Sequence, residues 1–356
     1  MPISPTSTSS PWFNREYDAM TAITHLNLDI GEIYIYADKP VKTTSVVLHS
    51  DSPSVAEAFL VSEIGHQLTI GWKSNAGHPT GHYAIEVHVP AESVESISFS
   101  SPGVVVVHPH VLMRSVDAKL SLASSCSGRL LIHEDELKAG SLHLRQGGAG
   151  LVQLTCPSAT LAYELDIKHT GTGTLAFVTT HLSAARVSLS KQASGATHAI
   201  VHDDIKVTET LDLHNHGSGA ISLHADSITA HHMQLTTSGS GATDVVVNRL
   251  FFAATLESKV SGSGSIACVV VDVDAATADV HHVVIAGSGT IHTNVVAAAC
   301  DVSGRGGGHA CLDPTQALTS EHALPADKIM PFKLVTKPVG FAEVEIPKPN
   351  KATPIE

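Results

Sequence analysis

Apolar residues recur along the middle of this chain at fixed distances from a short motif rich in serine and glycine. The last glycine of the motif returns every 22 to 25 residues. The positions are Gly103, Gly128, Gly150, Gly173, Gly195, Gly219, Gly241, Gly264 and Gly289. Mostly apolar residues stand two and four positions after each glycine and, from Gly128 onward, eight and six positions before it. Because residues two apart share one face of a strand, each repeat predicts at least two short strands with one face inward.

The regular repeat also predicts how these strands are arranged. One repeat cannot bury its apolar face alone, whereas stacked repeats bury a continuous core and hydrogen-bond to their neighbours. A short repeat without helical periodicity favours an all-β fold, a right-handed parallel β-helix with about 22–23 residues per coil. A sandwich of antiparallel hairpins is the alternative, but it would not keep four columns in register over eight repeats. We assign the glycine to a sharp corner, where positive φ costs it little.

The position of a residue relative to the corner glycine predicts whether its side chain points inward or outward. Leu175, Ile221 and Ile266 each stand two positions after a corner glycine, so we expect them in one buried column. His198 and Ser222 stand one position further along their strands and should therefore point outward.

The repeat divides the chain into four parts. We predict a disordered N-terminus over residues 1–15, a β-rich N-terminal cap over 16–98 and the β-helix coils over 99–311. Residues 312–356 form a tail rich in proline and lysine. We expect this tail either to cover the last coil or to reach another molecule.

Composition excludes several partners. The formal net charge of −13 argues against binding to nucleic acid or to anionic membranes. No apolar run has the length of a transmembrane helix, and the first residues lack the basic and apolar regions of a secretory signal. These features favour an intracellular protein over a secreted one.

The five cysteines are an odd number. Cys268 falls in an inward column and predicts a buried thiol that packs as a small hydrophobe. Without a secretion signal, the favoured interpretation is that all five are reduced. A pairing of Cys300 with Cys311, and a bridge between molecules through Cys126 or Cys311, are the alternatives.

Histidine is unusually abundant, with 24 residues. Protonating all of them would change the formal net charge from −13 to +11, so self-repulsion should fade as the pH falls toward 6. No column stacks three histidines, so we assign neither a metal site nor a cofactor. The pairs that we assign to pH sensing are His214 and His216, His231 and His232, and His281 and His282.

Catalytic signals are weak. Asp272 and Asp274 share one strand face, but neighbouring coils add no third carboxylate, and Arg249 one coil earlier predicts a surface ion pair with Asp272. The chain has no nucleophile elbow, no phosphate loop and no Cys-x-x-Cys motif. We therefore assign no catalytic residue, and a β-helix that binds or cleaves polysaccharide remains the alternative function.

Several segments carry a family resemblance. They are the opening strands at residues 31–36, 67–70 and 84–90, and the Gly-Ser-Gly turns that end at Gly219, Gly241, Gly264 and Gly289. Over residues 20 to 310 the chain resembles the auto-transporter adhesin head GIN domain family. This resemblance implies a surface or scaffold role without catalysis. A fungal lineage similar to such proteins, the octins, builds crystalline inclusions in the vacuole, which implies a lattice-forming role. With no secretion signal, an intracellular location, in the cytoplasm or in a vacuolar inclusion, is preferred over a secreted one.

The sequence as a whole predicts a non-catalytic, rigid β-helical scaffold. Its expected partner is a second copy of itself, in a homo-oligomer or an ordered lattice. Carbohydrate is the weaker alternative partner, because only 4% of the residues are aromatic and stacking sites for sugars should be scarce.

Overall fold

The computed structural model describes residues 13–38, 42–76, 79–271, 276–319, 324–332, 341–345 and 347. Its strands are β1 (Phe13–Asp18), β2 (His25–Leu28), β3 (Ile33–Asp38), β4 (Ser45–Ser50), β5 (Phe59–Ile64), β6 (Gln67–Trp72), β7 (Tyr83–Pro90), β8 (Ser96–Phe99), β9 (Val104–Val107), β10 (Ser115–Ser124), β11 (Arg129–His133), β12 (Leu137–Gln146), β13 (Leu151–His169), β14 (Thr174–Lys191), β15 (Ala196–Asn215), β16 (Ile221–Thr237), β17 (Ala242–Val260), β18 (Ser265–Val270), β19 (Ala276–Ile285), β20 (Thr290–Thr293), β21 (Val296–Gly304), β22 (His309–Leu312) and β23 (Ile329–Pro331). A short α1 (Pro53–Ala58) and a 3₁₀ turn at Ala326–Lys328 complete the described elements.

The strands stack in parallel and form a β-solenoid of about 10 turns. Each long strand runs along more than one side of its coil. In β13, residues 151–155, 158–161 and 164–169 form three successive sides, which we call sides A, B and C. The sequence predicted at least two strands per coil, and side B is the third. The parallel stack confirms the predicted fold class.

The predicted inward columns are confirmed. Leu175, Ile221 and Ile266 are fully buried and lie in one column of side A. Thr197 and Thr243 occupy the coils between them and are also fully buried. The column therefore continues through coils whose inward residue is a threonine, a small β-branched side chain that fits a pleated surface.

The N-terminal region joins the solenoid out of chain order. β2 pairs in parallel with both β6 and β8, and β3 pairs in parallel with both β7 and β9. The coil built by β2 and β3 therefore lies between two coils that come later in the sequence. Antiparallel strands close this end of the stack, with β5 on β6, β4 on β7 and β1 on β4.

Corner glycines allow successive coils to approach closely. A Cβ added to Gly241 would lie 2.0 Å from the carbonyl oxygen of Gly219, and one added to Gly264 would lie 2.1 Å from that of Gly241. Neither Gly241 nor Gly264 has a positive φ, whereas Gly103 does, at 111°. The expectation that these corners need left-handed backbone is therefore wrong for most coils. Glycine is required because any side chain would enter the backbone of the coil beneath.

A second buried column lies four positions before each corner glycine. The side chains of this column fill the space that a Cβ would take at the corner glycine of the next coil. A Cβ added to Gly219 would lie 2.7 Å from the Lys191 Nζ, and one added to Gly241 would lie 2.9 Å from the Asn215 Nδ2. Six consecutive coils place a polar residue here, and all six are buried: Ser124, Gln146, His169, Lys191, Asn215 and Thr237.

The polar members of this column hydrogen-bond to the corner backbone. Asn215 donates from Nδ2 to the carbonyl oxygens of Gly219 and Ala242, at 2.9 and 2.8 Å. Lys191 donates from Nζ to the carbonyl of Ala193, and burial lowers the pKa of Lys191. Buried polar groups need such partners, so this column ties each corner to its neighbour.

We predict that Gly241→Ala destabilises the stack by roughly 3 kcal/mol, because the new methyl group would overlap the Gly219 carbonyl and force the two coils apart. Gly307→Ala is the matched control, since a Cβ at Gly307 would meet no atom within 4 Å. It should change stability by less than about 0.5 kcal/mol. Thermal unfolding of the two variants measures the difference, and equal melting temperatures would contradict the stacking geometry.

Candidate functional site

The outward face of side A carries imidazole groups on two adjacent coils. In β15, His198, Ile200 and His202 alternate with buried residues and point away from the core. On the next coil, Ser222 lies beside His198 and His224 lies beside Ile200. The alternation of strand side chains therefore brings these groups onto one face, which we call the covered face.

A C-terminal segment, residues 341–345, lies on this face and is called the strap. The Gln153 side chain holds Val344 with two hydrogen bonds: Oε1 accepts from the Val344 N–H at 2.9 Å, and Nε2 donates to the Val344 carbonyl at 3.1 Å. The Phe341 ring stacks on the His198 ring with 5.2 Å between centroids. Glu343 Oε1 lies 3.8 Å from His202 Nε2.

The strap runs along the axis of the solenoid. Gln153, Ala176 and His198 occupy one outward column on three successive coils. Two coil steps span about 9.6 Å, and the three residue-to-residue steps from Phe341 to Val344 reach about 10 Å when extended. Ala176 lies between the two contacts and is fully buried. We expected the tail to cover the last coil or to reach another molecule, whereas its strap lies on coils in the middle of the stack.

The strap and the coils line a partly open pocket of about 360 Å³. It is lined by His198, Ile200, His202, Ser222, His224, Phe341 and Glu343. Burial lowers the pKa of His198, with a smaller contribution from nearby His224, and burial also lowers the pKa of His224. Among the described residues, no hydrogen bond joins Ser222 to an imidazole.

A second polar cluster lies on the corner between sides A and B. The ligand-type atoms of His181, Asp203 and Asp204 lie within 4.8 Å of one another. Lys206 Nζ lies 2.7 Å from Asp204, and Arg249 Nη2 lies 3.0 Å from Asp203. The hydrogen bond from Lys206, followed by that of His181, lowers the pKa of Asp204. Because each carboxylate already has a cationic partner, the cluster is a charge-compensated ion-pair network.

Arg249 contacts different carboxylates from the one expected. It binds Asp203 and also Asp226, at 3.1 Å, which belong to earlier coils. The predicted partner Asp272 lies outside the described residues, as does Asp274.

The histidines assigned to pH sensing are only partly brought together. His214 and His216 stack with 6.3 Å between ring centroids. His231 and His282 are exposed, and His232 is half-buried.

His281 differs from the others because it points inward. It is fully buried, and burial lowers its pKa to about 4. Its Nε2 lies 3.2 Å from the Ser258 hydroxyl, while its Nδ1 has no partner among the described residues. His281 belongs to an apolar column, beside Leu256 and Cys300, so it lies in the core and, unlike His282, does not face solvent.

All five cysteines are unpaired and buried. Cys126 is 9% exposed and Cys311 is 5% exposed, so neither offers a free thiol at the surface. This burial argues against the bridges between molecules that we considered. Cys268 is fully buried, as its column predicted, and burial raises its pKa to about 12.

Sequence reasoning missed His169 and Lys191. Both are fully buried, and burial lowers the pKa of His169 to about 4, with a smaller contribution from Lys191. Both residues stand four positions before a corner glycine, and this spacing is as regular as that of the apolar columns. A hydropathy pattern does not reveal the column, because its residues differ in polarity and charge from coil to coil.

Comparisons with known proteins show likeness at low identity. No family model and no curated protein matches the chain. It is similar to the solved structure of a "putative adhesin" from Parabacteroides merdae, with 11% identity, a TM-score of 0.39 and coverage of 86% of this chain and 95% of that chain. A "putative lipid binding protein" from Parabacteroides distasonis is 12% identical with a TM-score of 0.39, and the match covers 86% of this chain and 95% of that chain. A "putative adhesin" from Bacteroides fragilis is 15% identical with a TM-score of 0.35, and the match covers 86% of this chain and 98% of that chain.

No finding supports an octin-like relative. Because the TM-scores of these solved structures lie below 0.5, function is inferred from the geometry of this chain alone. No helix in the described part of the chain combines the length and the apolar character needed to cross a bilayer.

We predict that His281→Leu makes the protein more resistant to acid. The folded pKa of His281 lies below the ordinary 6.5, so the unfolded chain binds the proton first. Stability is therefore lost as the pH falls from about 6.5 toward 4. The variant should regain up to about 3 kcal/mol at pH 4. Denaturant unfolding at pH 7 and at pH 4 measures this.

His282→Asn is the matched control, because the His282 side chain is 48% exposed. It should leave the acid dependence unchanged. If the two variants lose stability equally on acidification, the interior position of His281 does not control acid lability.

Proposed function

We propose that this protein is a non-catalytic, rigid scaffold whose solenoids associate end to end with copies of themselves. The observation that carries this proposal is the distribution of exposed apolar side chains. The described residues include eleven large hydrophobic side chains that are exposed, and six of them lie at the two ends of the stack. These are Phe13, Met20, Leu60 and Ile64 at the N-terminal end, and Leu318 and Met330 at the C-terminal end.

The N-terminal end is the stronger candidate surface. Met20 is 88% exposed and Ile64 is 77% exposed. Ile64 ends β5, which is paired only on its β6 side among the described strands. An edge strand with apolar side chains favours pairing with another chain. A contact between two different ends is heterologous, so it repeats and extends into a filament unless rotation closes it into a ring.

Net charge regulates this contact. The formal charge of −13 opposes association at neutral pH, and protonation of exposed histidines reduces the repulsion. His216, His231 and His282 are exposed. His169 and His281 remain neutral until lower pH, because burial lowers their pKa.

Carbohydrate binding has weaker support. Tyr163 is 53% exposed and Phe252 is 38% exposed. Tyr163 lies on β13 and Phe252 on β17, so three coils stand between them. These two side chains therefore form no continuous aromatic platform for sugar stacking.

We expect the protein to form oligomers in sedimentation velocity, more at pH 6.0 than at pH 7.5 at matched ionic strength. Ile64→Lys should shift the distribution to monomer, because it places a charge in the apolar end contact. Leu250→Lys is the matched control, since Leu250 is 46% exposed but lies on a central coil. A strict monomer at high concentration under both conditions would contradict the proposal.

A further inference from the structure

The structure assigns a second interaction surface to this chain: we propose that the covered face of one copy binds the strap of another, so that neighbouring solenoids exchange their C-terminal segments side by side. This inference rests on the proposed self-association and names a second contact for it. The occupant is visible, because the chain's own residues 341–345 lie on that face.

The covered face is built to hold an extended segment. Gln153 is 3% exposed, and its amide binds both polar groups of the Val344 backbone. This pairing reproduces what a neighbouring strand would offer, so it recognises backbone and not one particular side chain. The flanking contacts add selectivity, since the His198 ring receives Phe341 and His202 approaches Glu343.

The strap is held by few contacts. They are two hydrogen bonds to Gln153, one ring stack and a 3.8 Å approach of Glu343 to His202. The strap forms no strand and pairs with none of the described strands. The contacts therefore hold an independent segment, and they would be the same for a strap from another copy.

Exchange replaces each contact with an identical one. Domain swapping of this kind is a low-cost route to association because no new interface has to be built. The chain's own strap competes through its high effective concentration, which is in the millimolar range for short tethers. Exchange should therefore increase steeply with protein concentration and should be greatest where solenoids already lie side by side.

Crosslinking of mixed variants tests the exchange. Full-length His202→Cys and full-length Glu343→Cys are purified separately, mixed and treated with a short bis-maleimide. The two replaced side chains are 58% and 43% exposed, and both variants keep the Gln153 hydrogen bonds and the ring stack that hold the strap. The five native cysteines are buried, so reaction is directed to the introduced thiols. We expect a covalent heterodimer whose yield rises with concentration. The double variant H202C/E343C, at low concentration, should form the link within one chain.

A third variant supplies the control. Lys259→Cys places an exposed thiol on side C, away from the strap. Mixed with Glu343→Cys, it should give at least tenfold less heterodimer than His202→Cys. Equal yields would mean random encounter and would overturn the inference.

A labelled peptide of residues 339–348 gives an independent readout. Its fluorescence anisotropy should rise saturably with full-length protein, and His198→Ala combined with Gln153→Ala should weaken the binding at least fivefold. Absence of both peptide binding and mixed crosslinks would overturn the exchange. If oligomers still sediment in that case, end-to-end association survives without exchange. If the protein is monomeric and neither crosslinks nor binds peptide, both proposals fail.

Discussion

The close approach of successive coils at their glycine corners is the constraint on which the rest of the structure depends. The carbonyl of one corner lies where the Cβ of the next would be, and the residue after most corners donates to that carbonyl, as Thr174 N–H does to Gly150 at 2.9 Å. This contact sets the register of all three sides. It aligns the inward columns, and it brings the buried polar column beneath each corner. The positions of the core, the outward faces and the two ends therefore all depend on this contact between corner glycines.

The sequence predicted what repeats and missed what does not. Apolar columns locked to a glycine predicted parallel coils and the inward direction of Leu175 and Ile221, because strand alternation and stacking leave no other arrangement. Gly31 is also a corner, with an added Cβ 2.7 Å from the Gly103 Cα. It was missed because the chain leaves the stack between these glycines and returns on the other side of the first coil.

The candidate site could be predicted only in part. The outward direction of His198 follows from its offset in the repeat, but its half-burial depends on the strap, whose contact with Gln153 joins residues 191 positions apart. No local pattern encodes that contact. Ser222 shows the same limit, since it faces outward as predicted and is nevertheless only 4% exposed. The side chains of a solenoid face are determined by its period, whereas what covers the face is determined by chain outside the period.

The polar interior gives the solenoid an unusual relation to acid. A fully apolar core would be indifferent to pH, whereas this core contains His169 and His281, which burial keeps neutral. Acidification below about pH 6.5 therefore destabilises the fold progressively, because the unfolded chain binds protons that the buried imidazoles do not.

Distances between coils test the stacked architecture most directly. Lys168, Thr236, Lys259 and Val284 occupy one outward column of side C. Spin labels on Lys168 and on each of the other three would be measured in turn by pulsed dipolar spectroscopy. The stack predicts backbone separations of about 14, 19 and 24 Å, an increment of about 4.8 Å per coil. Separations without this constant increment would contradict the account.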